Sequence, residues 1–269
     1  FIFNLSVGFT TMVLAIRRLC RGNTNHAGHS HKDKMLNKLT IVAMILSFLA
    51  LSTCLTLRWI ISGTAPMSDG YETMLLAAWL VMLLSLMFCR RVHFLMPCGL
   101  LTSGFFLLVS HINSMDPQIT HIMPVLNSPL LCIHVSVIMT SFAMLALTFV
   151  CGVTAIIMHM TRRHAQRQTR MLQLLSQLLL YPALAALAIG IFTGAVWAGI
   201  SWGRYWSWDP KEVWALITFM VYAIAVHCDS LPWLRKPMHY HTFMTVAFLC
   251  IIMTYFGVNY VLGGMHSYA

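Results

Sequence analysis

Apolar residues gather along the chain into eight long runs, at roughly 1–19, 39–61, 71–89, 93–110, 132–158, 174–198, 210–228 and 241–262. Each is close to the roughly twenty residues that a helix needs to cross a 30 Å hydrocarbon core. Short polar connections separate them. The pattern predicts an all-α polytopic membrane protein with about eight transmembrane helices. No internal repeat is visible and no connection is long enough for a soluble domain, so residues 1–269 are expected to form a single transmembrane domain. Composition agrees, with 59% apolar and 9% charged residues and a mean hydropathy of +0.76. A soluble domain cannot hide that much apolar surface.

A formal charge of +10 changes meaning once the basic residues are placed. Arg17, Arg18, Arg21, Lys32, Lys34, Lys38, Arg90, Arg91, Arg162, Arg163, Arg167, Arg170, Arg235 and Lys236 fall in alternate connections, fourteen of the seventeen Lys and Arg. Arg58, Arg204 and Lys211 lie towards the other side, with Asp69, Glu72, Asp116, Asp209 and Glu212. By the positive-inside rule the N-terminus, the 197–214 connection and the C-terminal tail face outward. The charge reports topology, and a nucleic-acid partner is excluded.

Eight cysteines are scattered singly, with no Cys-x-x-Cys pair, which speaks against thiol-disulfide chemistry and against haem attached covalently to this chain. Without an initiator Met or a cleavable signal pattern, the chain is expected to be a fragment or one half of a larger product. The connection 112–131 carries three prolines and reads as irregular structure on the outer face. His26, His29 and His31 have a spacing open to a metal, but with Gly, Asn, Ser and Lys around them and no fourth ligand near they read as a solvated loop.

The densest chemistry lies between the sixth and seventh runs. Trp197, Trp202, Trp206, Trp208 and Trp214 place five of the eight tryptophans in eighteen residues. One reading is an interfacial aromatic belt; the other, suggested by so much indole in one connection, is a platform for a large flat ligand. Asp209-Pro210-Lys211-Glu212 reads as a helix start, with Asp as N-cap, Pro first and Glu third. Four further positions are candidates. His134, at the outer start of the fifth run, and His266, past the outer end of the last, are brought by the topology to the face that carries the tryptophans. Each is either a solvated interfacial side chain or one of two axial ligands to a haem iron. His227 lies roughly 25 Å along the seventh helix at 1.5 Å per residue, where it either snorkels to the inner interface or has a function. Glu72 after Tyr71 favours a positive helix N-terminus.

The stretch Trp202-Gly-Arg-Tyr-Trp-Ser-Trp-Asp-Pro-Lys-Glu-Val-Trp-Ala-Leu-Ile-Thr218 closely resembles the WWD signature of haem-handling membrane proteins. Its Asp-Pro-Lys-Glu continuation resembles the CcsA branch, the system II cytochrome c synthase also called ResC, or CcsBA when fused to its partner. Residues 128–136 and 257–268, and Tyr71-Glu72, are similar to the same family. The resemblance implies that His134 and His266 ligate an outward-facing haem b and that His227 ligates a second, intramembrane haem opposite a histidine of a CcsB-type partner subunit or fused half. It also implies that the Trp platform, with Tyr205 and Asp209, holds the porphyrin. Arg204 and Lys211 are candidates for its propionates.

The implied activity is export of haem and its presentation to the Cys-x-x-Cys-His of apocytochrome c for thioether formation, in a bacterial inner membrane or, if plastid-derived, a thylakoid membrane. No paired cysteine, nucleophile or general base stands near the Trp stretch, so catalysis by placement is expected. Two other functions compete: a system I-type haem-delivery protein that makes no thioether, and a structural subunit whose tryptophans only anchor it in lipid. The Asp-Pro-Lys-Glu continuation and eight spans favour the synthase.

Overall fold

In the computed structural model the described residues are 1–21, 31–67, 69–89, 91–111, 117–119, 128–161 and 166–262. They form eight α-helices: α1 (Ile2–Arg21), α2 (His31–Ser62), α3 (Gly70–Phe88), α4 (Leu95–Ser110), α5 (Pro129–Thr161), α6 (Gln166–Trp202), α7 (Pro210–Val226) and α8 (Pro237–Ile252). A π-helical segment, Met253–Leu262, continues α8. Six helical stretches are long and apolar enough to cross a membrane, α8 together with its π-helical continuation among them. The chain is therefore a polytopic all-α membrane protein. The exceptions are α4, with 16 residues, and α7, with 17, each two residues shorter than the expected apolar runs 93–110 and 210–228.

Local chemistry accounts for the helix starts. Asp69 caps α3 by accepting the Glu72 amide N–H at 2.7 Å. Pro129, Pro210 and Pro237 open α5, α7 and α8, where the missing N–H costs nothing and the fixed φ is already helical. The Asp209 carboxylate accepts the Lys211 amide N–H at 3.1 Å, and Glu212 reaches back to the Asp209 N–H at 3.2 Å. The expected capping box is present.

Successive helices run in opposite directions, so their ends sort into two faces. One face carries the Trp connection, Phe1 beside His111 with ring centroids 5.2 Å apart, and Arg58 beside Glu72 at 3.0 Å. The other carries Arg18 on Asn37 at 3.1 Å and His241 on the Thr169 carbonyl at 3.0 Å. Of the basic residues assigned to that side, Arg18 and Arg170 lie there. The most extensive helix pair is α5 with α6, and the main core adds α3, α7 and α8 through Met74, Ala77, Tyr222, Tyr240 and Met244.

Two expectations about the Trp stretch change. Positions 197–214 are not all connection: Trp197 and Trp202 belong to α6, Trp214 belongs to α7, and only Gly203–Asp209 lie between. Helix α6 stops where Gly203 takes φ +72° and donates its N–H to the Gly199 carbonyl at 3.1 Å, a left-handed C-terminal cap that glycine adopts without strain. The second concerns the last run, expected as one regular helix over 241–262. The structure widens its final ten residues into a π-helix, a form rare in long pieces.

Candidate functional site

At the end of the bundle that carries the Trp connection, the helices leave a cavity of about 220 Å³. Its walls come from the start of α3 (Asp69, Thr73), from α5 (His134, Ile138), from α6 (Gly194, Trp197), from Trp206, from the start of α7 (Lys211, Glu212) and from the π-helical segment (Tyr255, Asn259). Most of the lining is apolar, with polar groups from several elements converging on it, the usual build of a small-molecule site.

His134 lines the cavity from α5. It is half-buried, and its Nδ1 lies 2.7 Å from the Gly190 carbonyl oxygen. A carbonyl only accepts, so Nδ1 carries the proton and the ring lone pair is on Nε2. A metal-ligating histidine is oriented in the same manner by a backbone partner on its other nitrogen. The tryptophans, by contrast, divide into different roles. Trp197 is 3% exposed and packs edge-on against the half-buried Trp202, centroids 4.8 Å apart. Trp206 lines the cavity and meets Trp208 edge-on at 5.9 Å. Trp208 is 74% exposed and holds φ at +59°, an unusual conformation for a bulky residue. Trp214 gives α7 its footing on the π-helical segment, its carbonyl accepting the Thr218 and Thr254 hydroxyls at 2.8 and 3.2 Å.

Of the two candidate cations, Lys211 lines the cavity. Arg204 is exposed and is not among the lining residues. Tyr205 is 68% exposed, its ring lying over Gly199. Asp209 is 6% exposed and is the cap of α7, as its sequence context predicts. His227 is far from this group. It caps the C-terminus of α7 at the opposite end of the helix, with an exposed side chain. His266, His26 and His29 lie outside the described residues, as does the side chain of His31.

Several parts of the site were not singled out from sequence. Arg58 pairs with Glu72 at 3.0 Å, their side chains 11% and 5% exposed, and stacks 5.0 Å from the Tyr71 ring. Glu72 is thus more than a helix-dipole residue, since it joins α2 to α3 beside the cavity. Asp69, just before α3, has its carboxyl pushed up by burial, against the pull of the Glu72 amide N–H that it accepts. Thr73 and Tyr255 share a hydrogen bond of 2.6 Å across the cavity wall. The signal available for Arg58 was a charge inside an apolar run; Gly190 and Gly194 offered none, because their part depends on where α6 meets α5.

The arrangement is that of a membrane bundle with an aromatic, one-ended cavity presenting an anchored imidazole. Comparison with known proteins gives the class a family. The model of the Cytochrome C assembly protein family matches residues 67–266. Over 223 residues the chain is 40% identical to Protein NrfI of Wolinella succinogenes, covering 80% of this chain but only 24% of NrfI. It is 34% identical over 244 residues to the Cytochrome c biogenesis protein CcsA of Chlamydomonas reinhardtii, covering 84% of this chain and 67% of that one. With CcsA of Nymphaea alba the identity is 31% over 261 residues, 84% of each. The chain belongs to the cytochrome C assembly family, as a cytochrome c biogenesis protein of the CcsA type.

Proposed function

We propose that this chain carries haem b to the Trp-loop face of the membrane and presents it there to apocytochrome c, in a system II synthase formed with a CcsB-type partner. The observation that carries the reading is His134. Its ring is anchored through Nδ1 inside a cavity that also presents Trp197, Trp206 and Lys211. Among the described residues no group of three or more His, Cys, Asp or Glu could hold a metal ion. A single anchored imidazole suits a metal that brings its other ligands with it, as iron in a porphyrin does. The apolar walls and indoles suit the macrocycle, and Lys211 suits a propionate.

His266 is the second axial ligand on this reading. His227, exposed at the far end of α7, faces the partner subunit and completes an intramembrane haem site with a histidine from it. The Trp-loop face is the outer one, periplasmic or lumenal, because fourteen of seventeen basic residues are assigned to the other side by the positive-inside rule. Haem supplies the vinyl carbons to which the two thiols of Cys-x-x-Cys-His are added. This chain supplies orientation, since holding reactants in register is itself worth several orders of magnitude in rate. The incoming histidine of the substrate then displaces His134 or His266, which loosens the product.

The test is His134→Gly in the haem-loaded protein, co-expressed with an apocytochrome. Haem on the outer site should fall, and added imidazole should restore it along with covalent haem on the cytochrome. An unchanged haem spectrum in the variant would overturn the assignment. Restored haem with no thioether product, where the unmodified protein also makes none, would point to a delivery protein instead.

A further inference from the structure

We infer that Gly194 is a positioning residue for the His134 imidazole and that, with Gly190, it forms a seat on α6 that sets both the plane and the tautomer of the ring. The inference rests on the reading of His134 as a ligand given above. Positions 190 and 194 are one helical turn apart and share a face, and that face of α6 meets α5. The Gly190 carbonyl takes the Nδ1 proton at 2.7 Å and also accepts the Thr193 hydroxyl at 2.9 Å. At position 194 the helix has no side chain, and the imidazole fills the space: a methyl group there would stand 2.6 Å from His134 Cε1, 2.8 Å from Nδ1 and 3.3 Å from Nε2. Even alanine would therefore have to expel the ring from its present plane, because a five-membered ring held by a short hydrogen bond cannot bend aside as an aliphatic chain can.

A control for disturbed packing lies elsewhere on α5. A methyl group at position 152 would meet the Thr245 hydroxyl oxygen at 2.6 Å and the His241 carbonyl oxygen at 3.1 Å, roughly 27 Å along the helix from His134 at 1.5 Å per residue. Gly152→Ala thus strains the contact of α5 with α8 without reaching the ring. Gly194→Ala instead moves Nε2, the nitrogen that would reach iron, and supporting groups of this kind typically change metal affinity by about 10- to 100-fold.

The experiment compares Gly194→Ala, Gly152→Ala, His134→Gly and the double variant His134→Gly/Gly194→Ala in the haem-loaded complex with its partner, purified in mild detergent. It follows the electron paramagnetic resonance and visible spectra of the haem, haem affinity and the thermal melt. Gly194→Ala should lose the bis-histidine spectrum and about 10- to 100-fold in affinity, while Gly152→Ala keeps the spectrum even if it melts lower. In the double variant the added methyl enters space that the ring has left, so this protein should fold even if Gly194→Ala does not. It should then need about tenfold more imidazole for rescue than His134→Gly alone. A wild-type spectrum and affinity in Gly194→Ala, equal spectral loss in Gly152→Ala, or equal rescue of the single and double variants would each overturn the positioning role. An unchanged spectrum in His134→Gly would instead overturn the ligand reading beneath it.

Discussion

The two histidines that α5 and α7 place at opposite ends of the bundle are held in opposite ways. His134 stands in a cavity, its Nδ1 bound to a backbone carbonyl and its ring seated against a glycine. His227 ends a helix with its side chain exposed, and only its backbone is fixed: its N–H donates to the Ile224 carbonyl at 3.2 Å, and its carbonyl accepts from Ser230 and Leu231 at 2.9 and 3.1 Å. The cavity is organised within the chain. On the proposed function the His227 site would gain its walls from the partner that covers it. The difference teaches that the cavity end can be broken by changes inside this chain, whereas a haem site at the His227 end would depend on what docks there.

The sharpest way to break that contrast is at Trp197. It is 3% exposed and supports Trp202 as well as the cavity wall. Trp197→Ala should cost about 3–5 kcal/mol, the usual toll of emptying a buried aromatic position, and haem retention should fall with it. His227→Ala, a change at an exposed position, should move the melt of the isolated chain by less than about 0.5 kcal/mol while lowering the haem that reaches the cavity in the complex. Thermal melts in detergent beside haem assays measure both. A His227→Ala chain with a full outer haem load would leave that histidine as an interfacial side chain.

Next in size is the ion pair between Arg58 and Glu72 beside the cavity. Removing one partner of a buried pair strands the other charge, so Glu72→Leu should destabilise by roughly 3 kcal/mol, whereas the double change Arg58→Met/Glu72→Leu should recover most of that loss. A double-mutant cycle on the melt gives the coupling directly. Additive single losses would mean that Pro117, whose carbonyl accepts from Arg58 at 2.9 Å, and the Tyr71 ring carry the arginine without Glu72.

Smaller again is the cap of α7. Asp209→Ala should cost about 1 kcal/mol, since the Lys211 amide loses its acceptor while Glu212 still binds the Ser207 N–H at 2.9 Å. Asp209→Asn keeps an acceptor and should lose less. If both variants keep their haem in proportion to their stability, Asp209 acts on the site only through the fold of the connection.

What could be read ahead of the structure follows the range of the interactions. Eight helices and the capping box were legible because each is settled by neighbours within a few turns: an apolar run, or Asp-Pro-Lys-Glu. His134 could be flagged by its motif, but its seat could not, since Gly190 lies 56 residues away and matters only through the register of α5 on α6. In the sequence the tryptophans look alike. Packing alone separates Trp197 from Trp208, because one meets the end of α6 and the other follows a left-handed glycine cap. The Arg58–Glu72 pair hid for the same reason, as hydropathy counts an arginine in a span and says nothing of its partner.

The smallest predicted effect reverses sign, and it concerns Trp208. This residue is 74% exposed and sits at φ +59°, so its indole gains little from burial while its backbone pays for a conformation that favours glycine. Strain of this kind persists where function requires it. Trp208→Gly should therefore stabilise the isolated chain by about 0.5 kcal/mol, reduced by the entropy that glycine adds to the unfolded state. Trp208→Ala keeps Cβ, and with it the strain, so it should give no gain. Both remove the indole and should lower attachment to a co-expressed apocytochrome alike. Comparing the two melts isolates the backbone cost, and comparing the two attachment yields isolates the side chain. If Trp208→Ala is the more stable variant, the left-handed conformation carries no cost. If either variant attaches haem at the normal rate, Trp208 belongs to the lipid-facing aromatic belt and not to the platform.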